Sequence, residues 1–139
     1  MDSDCLKQRI NESAAEIVRL HARIHSTLSD RNKNPDKRRE WEKACAEFHA
    51  RYDRLAFSGG YGGALERISS GVPEAMEAAI CFLEVRPYFF RSGYMFKDIL
   101  RRCRRAPLSS DQRTRLKTIE ERVAAWRERK LAKKRESQE

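Results

Sequence analysis

Residues 6–28 read LKQRINESAAEIVRLHARIHSTL, with apolar side chains at Leu6, Ile10, Ala14, Ile17, Leu20, Ile24 and Leu28. Steps of three and four place all of them on one face of a helix, about 24 residues and roughly 36 Å long. A stripe of that length needs an apolar partner. After the polar stretch Ser29-Asp30-Arg31-Asn32-Lys33-Asn34-Pro35, Trp41, Cys45, Phe48, Tyr52 and Leu55 repeat with alternating steps of four and three. Pro35 stops a helix from running through the stretch but suits the first turn of the next one. The spacing therefore predicts an antiparallel αα-hairpin over residues 5–56, joined by a tight connection.

Outward from the hairpin, Ser58-Gly59-Gly60-Tyr61-Gly62-Gly63 holds four of the six glycines. Glycine breaks helices and adopts positive φ freely, so residues 57–63 are expected to form a hinge between two halves. Shorter helices follow: two turns over 64–69, then Pro73 to Val85 with Met76, Ala79, Ile80 and Leu83 inward. Pro87 ends that segment. Phe89 to Cys103 is expected to be helical, with Phe90, Tyr94, Ile99, Leu100 and Cys103 inward and Ser92-Gly93 as its N-terminal cap. Pro107 stops it, and Ser109 facing Gln112 is a capping box for a last helix whose stripe is Leu116, Ile119, Val123 and Trp126. Apolar residues cease after Leu131.

No stretch alternates with the period of a strand. The expected fold is all-α: five to six helices in one domain over 1–131, a long N-terminal hairpin followed by a compact bundle at 64–131, and a basic disordered tail at 132–139. The helices over 73–104 resemble one unit of a HEAT-type helical repeat in length and apolar spacing alone. No functional residue follows from that likeness.

The 139 residues carry 40% hydrophobic and 37% charged side chains and a net charge of +9. That length suits a single domain with its own core. The longest apolar run, Ala78 to Leu83, is far below the ~20 residues that span a bilayer, and the N-terminus lacks the features of a secretion signal, so no membrane partner is expected. Cys5, Cys45, Cys81 and Cys103 are too dispersed for a zinc framework; each lies in a helical stretch, where a free thiol behaves as a small buried hydrophobe. A reducing cytoplasm is the expected location.

The charge is uneven. Residues 1–95 carry a net +1 and residues 96–139 a net +8. Arg101, Arg102, Arg104 and Arg105 flank Cys103, and Arg127, Arg129, Lys130, Lys133, Lys134 and Arg135 crowd the end of the last helix. Both clusters lie at helix C-termini, where the macrodipole itself favours cations. They equally suit phosphates, whose condensed counterions Lys and Arg displace without any base-specific motif. The segment from Arg86 to Phe96 adds five of the twelve aromatics within nine positions, framed by Arg86 and Arg91. Exposed, such rings stack bases; buried, Phe89, Phe90, Tyr94 and Phe96 would plug the core between the hairpins. Tyr88 and Tyr94, with polar ends, are the candidates for a partner surface.

Reactive chemistry is sparse. His21 and His25 share a helix face, with His49 or Cys45 as the nearest third ligand, but Ala22 stands where a His-Glu-x-x-His site needs Glu. The glycine run lacks the Lys and Ser/Thr of a phosphate-binding loop. Neither a cofactor nor catalysis is expected. The expectation is a non-enzymatic module that binds nucleic acid through Arg101, Arg102, Arg104, Arg105, Arg127, Arg129, Lys130, Lys133 and Lys134. Arg86, Arg91, Tyr88 and Tyr94 would assist. The alternatives are an acidic protein partner, or a protein-interaction module such as an adaptor or a toxin-neutralising immunity protein, which calls for an exposed apolar patch.

Overall fold

Between Pro73 and Val85 apolar residues occupy every side of the helix, an arrangement that holds in water only when other elements surround it. The computed structural model, which describes residues 3–138, places this helix at the centre. The described residues form α1 Ser3–Leu28, α2 Pro35–Ala56, α3 Ala64–Ser69, α4 Pro73–Val85, α5 Ser92–Arg105 and α6 Ser110–Ser137. They are all-α, and α1, α3, α5 and α6 each pack on α4. Ala79, Ile80, Cys81 and Phe82 are sealed, and Phe82 alone contributes about 1.5–3 kcal/mol by its burial.

The hairpin forms as the stripe implies. Leu6, Ala14, Ile17 and Leu20 of α1 are buried, facing Ala44, Phe48 and Ala56 of α2, while Ile10 and Ile24 are half-buried at its margins. Asn34 caps α2 by accepting the Lys37 amide at 2.9 Å, with Pro35 in the first turn. The outer faces are laced with ion pairs: Arg23–Glu47 at 2.7 Å, Arg51–Glu16 at 3.1 Å, Arg38–Glu42 at 3.1 Å, and Arg19–Glu16.

Several expectations are corrected. The glycine segment connects elements that share one core and is tied to the helices on both sides of it. Asp53 accepts the Gly62 amide at 2.7 Å, and the Arg67 guanidinium donates to the Gly60 and Gly62 carbonyls at 2.7 and 3.0 Å. Gly60 has φ +90°, and a Cβ there would stand 3.0 Å from the Asp53 carboxylate. Ser92 does not precede its helix; that place belongs to Arg91, at φ +68°, because the Ser92 hydroxyl is occupied in accepting the Phe89 amide at 3.0 Å.

The aromatic segment divides. Phe89 and Phe96 are in the core, but Phe90 is 42% and Tyr94 72% exposed, because α5 starts three residues later than the spacing suggests and turns Met95 inward instead. Cys81 and Cys103 are buried, Cys45 is half-buried, and Cys5 is exposed. Finally, α6 continues to Ser137, past residue 132 where the tail was expected to begin. Its last turns are built from Lys, Arg, Ala and Glu, all strong helix formers, and propagation of an existing helix needs no apolar contact. Residues 1, 2 and 139 lie outside the described residues, so the expected tail is described only to 138.

Candidate nucleic-acid interface

The position of α6 is set by its first half. Ser109 and Gln112 form the expected capping box, each side chain bonded to the other's backbone amide at 3.1 and 3.0 Å. One turn on, Arg115 reaches into the groove between α6 and α4 and donates to Glu77 at 3.0 Å and Glu84 at 2.6 Å. Lys7 of α1 joins Glu84 at 3.2 Å, and the Ser3 hydroxyl and Gln112 amide join Glu77 at 2.7 and 3.1 Å. Burial pushes the Glu77 carboxyl up, but hydrogen bonds from Ser3, Gln112 and Arg115 outweigh it and hold the group at about 2. This cluster, spanning three helices, was not legible in the sequence because its paired members lie 31 to 77 positions apart.

Leu116, Ile119 and Val123 continue the docked face, and beyond Val123 every described residue of α6 is exposed. The final 14 residues of the helix, 124–137, therefore project past the body by about 21 Å. At about 100° per residue, Arg129, Lys133, Lys130, Lys134 and Arg127 fall within an arc of about 160° that contains Trp126, while Glu128, Arg135 and Glu136 fall outside it. The same arithmetic puts Leu116, Ile119 and Val123 inside that arc. The inner face of α6 thus changes from apolar to cationic as it clears α4, and the cations overhang the loop after α4. Among the described residues, Arg127, Arg129, Lys133 and Lys134 have no ion-pair partner, unlike the arginines of the α1–α2 hairpin.

Trp126 is not a core residue, as its place in the stripe suggested, but a 41% exposed platform. The Arg86 guanidinium lies 5.0 Å from its ring centre and 4.5 Å from that of Phe96, and the Lys130 ammonium lies 4.8 Å from Trp126. Each such contact is worth about 0.5–1 kcal/mol at a site open to water. Arg86 and Lys130, 44 positions apart, are thereby brought to one place.

The other candidates form separate groups. Arg101, Arg102, Arg104 and Arg105 occupy the end of α5. Arg104 is paired with Glu120 at 2.5 Å and Arg102 bonds the Ser69 hydroxyl at 3.1 Å, while Arg101 is only 3.9 Å from Asp98 and Arg105 is exposed. Their contact point at Glu120 is ten residues before Lys130, or about 15 Å along α6, so the two expected clusters are distinct patches rather than one surface. Arg91 and Tyr94 border a shallow depression with Phe90, over whose ring the Arg91 guanidinium lies at 5.3 Å. Tyr88, 90% exposed, stands between Arg86 and that depression in the chain.

His21 and His25 are in edge contact at 4.7 Å, and His21 stacks on Phe90 at 4.9 Å. No grouping of three metal-ligating side chains occurs among the described residues. No described helix is long and apolar enough to cross a membrane. Compared with protein families, curated proteins and solved structures, the chain matches none.

Proposed function

We propose that the protein is a binding module, not an enzyme, and that it grips the phosphate backbone of nucleic acid with the projecting half of α6. The observation that carries this reading is the cationic arc: five basic side chains on one face of an exposed helix, with Glu128 turned away and Glu136 just beyond the arc's edge. Cations left unneutralised in this way bind a polyanion by releasing its counterions, without reading sequence. Arg101 and Arg105 at the end of α5 would extend the contact to a longer strand, Arg102 and Arg104 less so because they already have protein partners. A cytoplasmic location accompanies the reading, since the four thiols are free and two of them are sealed in the core.

An acidic protein partner would use the same arc. A protein-interaction module on the outer face of the hairpin has weaker support: among described residues Val18 is the one large apolar side chain exposed there, amid ion pairs. The test is binding of the variant Lys130→Gln/Lys133→Gln/Lys134→Gln beside the control Arg135→Gln, which lies outside the arc. Removing three phosphate contacts is expected to flatten the salt slope on duplex DNA by about 2.7, and the control to leave it nearly unchanged. A control effect of about 0.9, the same per charge as in the triple variant, would show that bulk charge, not the arc, drives association.

A further inference from the structure

The loop 86–91 holds Tyr88 in a posture that its own packing does not require. Its neighbours Pro87 and Phe89 are buried, while the Tyr88 ring between them is turned outward, 90% exposed. The frame around it is rigid. The Arg86 amide donates to the Phe82 carbonyl at 2.8 Å, Phe89 donates to Ser92 at 3.0 Å, and the Tyr52 hydroxyl donates to the Phe90 carbonyl at 2.6 Å. Both ends are arginines with left-handed backbone, φ +50° at Arg86 and φ +68° at Arg91, a conformation unfavourable for side chains of this kind that persists only where surrounding contacts impose it. Arg86 is further clamped between Phe96 and Trp126.

A ring presented on a fixed backbone needs a ligand with a flat π-face. The side chains that flank it, Arg86 and Arg91, are cationic, and Lys130 is in contact with the same Trp126 indole that Arg86 covers. The ligand must therefore carry negative charge close to its π-faces. Duplex nucleic acid hides its π-faces inside the stack; an unpaired strand offers both. We propose that this surface takes a single strand of nucleic acid, with a base stacked on Tyr88, the phosphates on either side of it held by Arg86, Arg91 and Lys130, and a further base on Tyr94. The proposal rests on the phosphate-binding reading and makes an unpaired strand the preferred ligand over a duplex, which the α6 arc alone would still hold. Tyr94 belongs to it because its ring is 72% exposed beside Phe90 and Arg91.

The experiment compares an oligothymidylate, an abasic strand of equal length and charge, and a duplex, bound by the full chain at one fixed salt concentration. Tyr88→Ala is expected to weaken oligothymidylate binding about 5- to 150-fold, the range for loss of one base–aromatic stack. Tyr88→Phe retains the π-face and should bind as the wild type, and Tyr88→Ala should leave the abasic strand and the duplex unaffected. Helicity by circular dichroism is expected to be unchanged, since the ring touches little. Equal binding of wild type and Tyr88→Ala to oligothymidylate, or an equal loss on all three ligands, would overturn the stacking proposal. In either case a continued loss of affinity in the α6 lysine variant would leave the phosphate-binding reading standing. If the wild type binds none of the three, both fall together.

Discussion

Replacing Arg115 by Met would remove the one cation that bridges α6 to two carboxylates of α4. Its side chain is 18% exposed and those of Glu77 and Glu84 are 21% and 19%. Truncating one partner of a fully buried pair costs about 3–5 kcal/mol, because the opposite charge is left without compensation. Here a fifth of each group still reaches water, Lys7 still serves Glu84, and Ser3 and Gln112 still serve Glu77. The expected loss is therefore smaller, about 2–3 kcal/mol, or about 6–12 °C in Tm for a chain of this size. Urea unfolding followed by far-ultraviolet circular dichroism measures it. Combining Arg115→Met with Glu77→Gln should recover part of the loss, since the second change removes the stranded charge; the two effects would then be non-additive by about 1 kcal/mol. A single-variant cost below about 0.5 kcal/mol would refute the view that this cluster docks α6, and would leave that task to the apolar face of Leu116, Ile119 and Val123 with the Arg104–Glu120 pair.

The same cluster sets an acid limit. A carboxyl held at about 2 in the folded chain but near its ordinary ~4.3 when unfolded stabilises the fold fully above about pH 5. That contribution is lost as pH falls from there towards 2, and Glu77→Gln should flatten the stability profile in this window. Gly60→Ala is expected to cost about 1–3 kcal/mol, since the position has φ +90° and the added Cβ would meet the Asp53 carboxylate at 3.0 Å; a neutral outcome would show that the loop is free to move. Among the thiols, exposed Cys5 should react with a disulfide reagent at once. Cys103, pushed up to about 12 by burial, and Cys81, pushed to about 11 by burial and the neighbouring Glu77, should react only on unfolding.

Features decided by neighbours in the chain were legible before any coordinates. Pro35 and Pro73 mark the first turns of α2 and α4, Ser109 and Gln112 cap α6, and the stripe from Leu6 to Leu20 faces α2, because caps, proline and periodicity act over a few residues. Trp126 was misjudged for a reason of the opposite kind. Periodicity continues past Val123, but α4 ends, and no local pattern says where the opposing surface stops. The bonds from Asp53 and Arg67 that tie the glycine segment were not legible, because they come from the helices on either side of it. Of the candidate site, the residues of the arc were named from composition, whereas their common face with Trp126 follows only from the unbroken run of α6, and the meeting of Arg86 with Lys130 only from the packing of the α4–α5 loop on α6.

The phosphate-binding role of α6 is tested most directly by the wild-type binding constant for duplex DNA, measured by fluorescence anisotropy across a series of salt concentrations. Four or five phosphate contacts from the arc correspond to a slope of about −3.6 to −4.5 in a plot of log K against log salt. A slope near zero, or no binding at low salt, would contradict it.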